Sequence, residues 1–114
     1  MYKLLLAVSL CLGAHTLIWF QLNGQFMWPW FKRNPTILAI GLGAFISYMF
    51  IFSTRYFYEY FDGLLWPGRF IGFSLGMINY AVLTGWLIQE GINLKTLTSL
   101  ILATGIVCVQ LFWK

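Results

Sequence analysis

The chain has 114 residues, of which 61% are hydrophobic and 9% charged, with a formal net charge of +4. That is room for one domain, and a water-soluble domain carries roughly a quarter of its residues as Asp, Glu, Lys or Arg. A soluble globular protein is excluded; the composition calls for apolar surface facing lipid. The seven Lys and Arg are scattered. Nucleic-acid binding needs a concentrated basic face, so it is excluded too, and the positive excess suits anionic lipid headgroups.

The opening MYKLLLAVSLCLGAH imitates a signal peptide, with one lysine ahead of an apolar stretch. The apolar run continues through Ile18, Trp19 and Phe20 without a small-x-small cleavage site, and Leu10 rather than a small residue precedes Cys11. We expect a retained membrane helix over Leu4–Leu22. A spanning helix needs about 20 mostly apolar residues, and three more segments meet that length: Thr36–Tyr56, Pro67–Gln89 and Asn93–Trp113. The breaks between them are Asn23-Gly24 through Asn34-Pro35, then Asp62-Gly63 to Trp66-Pro67, then Glu90-Gly91. Pro67 suits a first helical turn, Gly91 a helix stop and Asn93 an N-cap. Short links make neighbouring helices antiparallel. The fold class is therefore an all-α, multi-pass integral membrane protein: one four-helix bundle. Trp28, Trp30, Tyr56, Tyr58, Tyr60, Trp66 and Trp113 fall at span ends, where an aromatic belt meets water.

Four spans put Lys3, Arg55, Arg69 and Lys114 on one side and Lys32, Arg33 and Lys95 on the other. Four against three is almost no positive-inside bias. One reading is insertion both ways round with antiparallel pairing. The other is an orientation set weakly, or by a partner.

In span three, Gly68, Gly72 and Gly76 share a helical face, and Gly41 with Ala44 forms a similar stripe in span two. In lipid, helices associate by close van der Waals contact, so small residues at four-residue spacing let backbones approach. Such faces serve packing within the bundle or a dimer contact. Polar groups within the spans are Cys11, His15, Trp19 and Asn23 on one face of span one, with Thr16 beside it. Asn79 and Thr84 lie in span three, Gln110 in span four, and Arg69 opens span three beside the glycines.

Polar residues in a membrane are costly and mark sites. Glu59, Asp62 and Glu90 all lie at span ends or in loops, leaving no carboxylate at depth. His15 alone titrates near neutral pH there. With Trp19 as an apolar wall it heads a candidate substrate-binding set of His15, Thr16, Trp19, Asn23, Asn79 and Arg69. The structural alternative is a histidine hydrogen-bonded to Asn79 or Thr84 as interhelical glue. No nucleophile–base pair, metal spacing or phosphate loop points to an enzyme. Cys11 and Cys108 lie in apolar runs and read as small hydrophobes rather than a disulfide or metal pair. A single histidine is a weak case for haem, so no cofactor is expected.

Residues Gly85 to Lys114 carry Glu90 in a short turn, then the run Leu100-Ile101-Leu102-Ala103-Thr104-Gly105. This resembles the final helix pair of the drug/metabolite transporter superfamily, whose short four-span members include the small multidrug resistance proteins. Thr16 ahead of Trp19-Phe20 is similar to an uncharacterised four-span branch. The resemblance implies the fold, Gly105 as a packing residue, antiparallel homodimers and a bacterial-type inner (plasma) membrane. Where small multidrug resistance proteins keep a glutamate in span one, the matched position is Thr16, which separates this chain from cation-coupled export. The expected function is transport of a small uncharged or anionic molecule. The alternative is a non-transporting accessory subunit of a larger membrane complex.

Overall fold

A computed structural model describes residues 2–113, and among them the only regular structure is helical. The elements are α1 (Tyr2–Asn23), the short α2 (Pro29–Arg33), α3 (Pro35–Tyr60), α4 (Trp66–Ile88) and α5 (Leu94–Phe112). Four of these are long and apolar enough to cross a membrane. At 1.5 Å per residue the shortest, α5 with 19 residues, measures about 28 Å, close to the roughly 30 Å hydrocarbon core of a bilayer. The chain is an all-α, multi-pass four-helix bundle. Lys114 lies outside the described residues.

Proline starts three of the helices: Pro29 in α2, Pro35 in α3 and Pro67 in α4. Its missing N–H costs nothing in a first turn, and its fixed φ is already helical. Asn93 caps α5, its side-chain oxygen accepting from the Thr96 N–H at 2.8 Å. α3 runs beyond the apolar pattern, through Tyr60, because its last turn is held from outside. Lys3 of α1 pairs with Glu59 at 3.2 Å. The following turn closes with the Gly63 N–H donating to the Tyr58 carbonyl at 2.8 Å, while Asp62 and Gly63 take positive φ. In the third loop the left-handed residue is Gln89, with φ 62°, and not Gly91.

The bundle is flattened. Its principal extents are 47 by 35 by 19 Å, and α1 packs against both α3 and α4 while α5 leans on α4. The helices thus lie in the order α3, α1, α4, α5, with α1 inside. Burial follows that order: 22% of the apolar window of α1 is buried, against 6% for α5. Small side chains make the inner helix possible, since Ala7, Cys11 and Ala14 are buried along α1 and Ile71 and Phe57 close over them. Most remaining large apolar residues face outward, as a lipid-solvated surface requires.

Two wide π-helical turns interrupt the spans, at Leu38–Leu42 in α3 and Thr84–Ile88 in α4. Both lie at the end of the bundle that carries the first and third loops. Such turns free backbone groups from the regular ladder, and in lipid those groups need partners within the protein. The Leu38 carbonyl takes one from α1, the Gln21 amide at 3.0 Å.

The glycines differ in what they face. A Cβ on Gly68 would stand 2.7 Å from the Phe57 Cβ, and one on Gly72 would touch Cys11 Sγ at 3.5 Å. A Cβ on Gly76 would collide with the His15 imidazole. These three seat α4 against α1 and α3. Gly41 and Gly105 open on free space and Ala44 is exposed, so this stripe and Gly105 have no neighbour in the chain. Gly68→Ala is expected to lower stability by about 1–3 kcal/mol, the cost of an added group in a filled contact. Gly105→Ala should leave stability unchanged or slightly raised. Denaturant titration in mild detergent measures both, and equal midpoints would remove the Gly68 contact as a determinant.

Candidate functional site

α1 presents its polar residues to α4 in register. Thr16 Oγ1 donates to the Leu12 carbonyl at 2.8 Å and accepts from Asn79 Nδ2 at 3.1 Å. One turn on, Trp19 is 1% exposed and donates its indole N–H to Thr84 Oγ1 at 2.9 Å. A buried indole needs that partner. At the end of the helix, Tyr80 OH donates to Asn23 Oδ1 at 3.3 Å. These pairs form a ladder that fastens the first-loop half of α1 to α4. Asn79 and Thr84 are occupied by Thr16 and Trp19, so the hydrogen-bond partners considered for His15 serve other residues.

His15 takes a different place. Its ring meets Phe50 of α3 edge to face, 5.1 Å between centroids at 81°. It borders a half-open cleft of about 810 Å³ between α3 and α4, with α1 as floor. Cys11, His15 and Gly72 form the floor, and the Cys11 thiol points to the Gly72 carbonyl at 3.8 Å. Phe50, Phe57 and Phe73 form apolar walls. Tyr58, Trp66 and Arg69 stand at the end nearer the second loop. Gly72 keeps the floor open beside Cys11, whereas Gly76 lies outside the lining and seats the His15 ring against α4.

Of the residues singled out in the sequence, the structure therefore brings His15 and Arg69 to one cleft. Thr16, Trp19, Asn23 and Asn79 belong to the ladder and do not line it. Trp19 cannot act as its wall, because the bond to Thr84 turns the indole into the α1–α4 contact. Ser53 and Thr54 line the cleft without having been singled out, and Tyr58, read as an interfacial aromatic, lines it as well. The signal for the first two was the Ser-Thr pair that interrupts the apolar run YMFIFSTRYF of span two. Ser53 is buried and donates to the Ala7 carbonyl at 2.7 Å. That leaves Thr54 as the hydroxyl of that pair on offer.

The electrostatics of the cleft are one-sided. Among the described residues no carboxylate lines it, while Arg69 does. The ion pair found among those residues is Lys3 with Glu59, so Arg69 has no counter-charge there. No group of three His, Cys, Asp or Glu side chains among them is placed to hold a metal. A second, smaller cavity of about 350 Å³ lies between α4 and α5, with Thr84, Glu90, Thr96 and Ser99 on its border. The remaining hydroxyls of α5, Thr98 and Thr104, donate to carbonyls four residues back at 2.8 and 2.9 Å. They are satisfied within their own helix.

The ladder makes a quantitative demand. Trp19→Phe and Thr84→Val should each destabilise the fold, and the double variant should show a coupling of about 0.5–2 kcal/mol, the range for hydrogen bonds between membrane helices. Additive effects in detergent unfolding would mean that the indole–hydroxyl bond contributes nothing. In comparison with known proteins, the chain matches no protein family, no curated protein and no solved structure.

Proposed function

We propose that the chain is a small membrane transporter of the drug/metabolite type, working as a homodimer and moving a small uncharged or anionic molecule. The observation that carries this reading is the half-open cleft of about 810 Å³ between three membrane helices, lined by His15 and Arg69 and by no carboxylate among the described residues. Its size falls within the range of small-molecule sites. A titratable anion at depth is the usual means of exchanging protons for a cationic substrate, and this cleft has a cation and an imidazole instead. Dimerisation is supported by the outward Gly41–Ala44 stripe and by Gly105, small residues at which a second copy could approach closely. An antiparallel pair would bring the inverted symmetry common in alternating access, and the near balance of flanking charges accommodates it. By the same resemblance the membrane is the inner one of a bacterial-type cell.

One observation favours a second reading. α5 is buried over only 6% of its apolar window and leans on α4 alone among its main contacts. An accessory subunit docked on a larger membrane complex would present such a helix. Native mass spectrometry from mild detergent separates the two. A species of twice 13.2 kDa supports the dimer, and a stoichiometric foreign partner supports the subunit.

Transport itself is tested in proteoliposomes with a panel of neutral and anionic solutes. We expect flux that His15→Ala reduces roughly tenfold or more, equivalent to about 1.4 kcal/mol of barrier. Unchanged flux in that variant would take His15 out of the path, and absence of flux across the panel would overturn the transporter.

A further inference from the structure

We infer that the ligand of the His15–Arg69 cleft is an amphipathic anion: an apolar body carrying one phosphate or carboxylate group. The inference rests on the cleft of the transport reading and narrows what that cleft takes.

Charge gives the first half. Arg69 sits in the first turn of α4, at the end of the cleft where Trp66 and Tyr58 place the membrane interface. Near that end Glu59 is engaged by Lys3 at 3.2 Å. Arg69 is exposed at the mouth of the cleft and has no ion-pair partner among the described residues, so a neutral ligand would make no use of its charge. A cationic one would be repelled by it. The guanidinium presents a planar fork of donors that matches a carboxylate or phosphate edge.

Shape gives the second half. An inorganic anion is far smaller than about 810 Å³ and would leave Phe50 and Phe73 uncovered. Those rings need an apolar body to displace water from them. From Arg69 the space runs inward along the phenyl walls to Gly72 and to His15, whose ring rests against Gly76 of α4. Head and body thus have separate places: the head at the interface and the body at depth. This division follows the polarity of the bilayer itself, so the ligand enters without turning its charge into hydrocarbon.

Such a molecule comes either from the bilayer, as an anionic lipid, or from water, as a short amphiphile. The test uses the full chain in phosphatidylcholine nanodiscs, titrated calorimetrically with octyl phosphate, octanol and octylammonium after subtraction of empty discs. Octyl phosphate is expected to bind roughly tenfold or more tightly than either analogue, about 1.4 kcal/mol. Arg69→Gln should abolish that preference and Arg69→Lys should keep most of it. Arg55→Gln should change nothing, because Arg55 lies over the Phe52 ring at 4.9 Å and outside the cleft. Repeating the titration in discs doped with phosphatidic acid separates the sources. Competition assigns the site to a lipid, and undiminished binding assigns it to a water-borne amphiphile. Equal binding of octanol, or a preference that survives Arg69→Gln in a folded chain, overturns the inference. Neutral-solute flux that persists without any anion preference removes this inference and leaves transport. Anion binding without flux does the reverse.

Discussion

A polar group inside a bilayer has no water to turn to, so its partner has to come from the protein. In this chain one helix supplies the partners. The side-chain hydrogen bonds that pass between spans among the described residues each have one end on α1: Ala7 with Ser53, Cys11 with Gly72, Thr16 with Asn79, Trp19 with Thr84, Gln21 with Leu38 and Asn23 with Tyr80. That is why α1 sits inside the layer and why α3 and α4, neighbours in sequence, are joined mainly through it. Removing α1 would leave its partners in lipid without bonds, each at a cost of several kcal/mol.

The same bonds divide the molecule along its length. At the end carrying the first and third loops, Trp19, Gln21 and Asn23 fasten α1 to both flanking helices, directly beside the two π-helical turns. At the second-loop end α3 is tied to α1 by the Ser53–Ala7 hydrogen bond and the Lys3–Glu59 pair, but α3 meets α4 only through close apolar contact, Gly68 against Phe57. A cleft lies there between α3 and α4, which share no direct side-chain hydrogen bond among the described residues. The fastened end and the open end are thus consequences of where the polar residues of α1 fall.

Much of this was legible from residue order alone. Apolar runs of spanning length and the turn residues between them define four helices, and Asn93 caps α5 through the Thr96 N–H. The glycine stripe of α4 also faces a neighbour, because four-residue spacing on a helix places small residues on one side whatever packs there. What periodicity cannot supply is the identity of the neighbour. Gly41 and Gly105 have the same local pattern and face nothing within the chain. The left-handed stop of α4 falls on Gln89, directly after the π-helical turn and two residues before Gly91. His15 and Trp19 share a face of α1, yet one borders the cleft and the other is sealed against α4. Four residues of helix advance the side chain by about 6 Å along the axis, enough to pass from one environment to the next.

The hydroxyl at Thr16 has a physical meaning of its own. A carboxylate at that point of α1 would face Asn79 in the α1–α4 contact, buried and far from Arg69's end of the cleft, where its desolvation would be uncompensated by a cation. A hydroxyl suits the position better. It donates to the Leu12 carbonyl and accepts from Asn79 at once, satisfying both groups without charge. With Thr16 spent on holding the helices together, any binding chemistry has to come from the other side of α1. There the cleft offers an imidazole, a guanidinium and the Thr54 hydroxyl, and no carboxylate among the described residues.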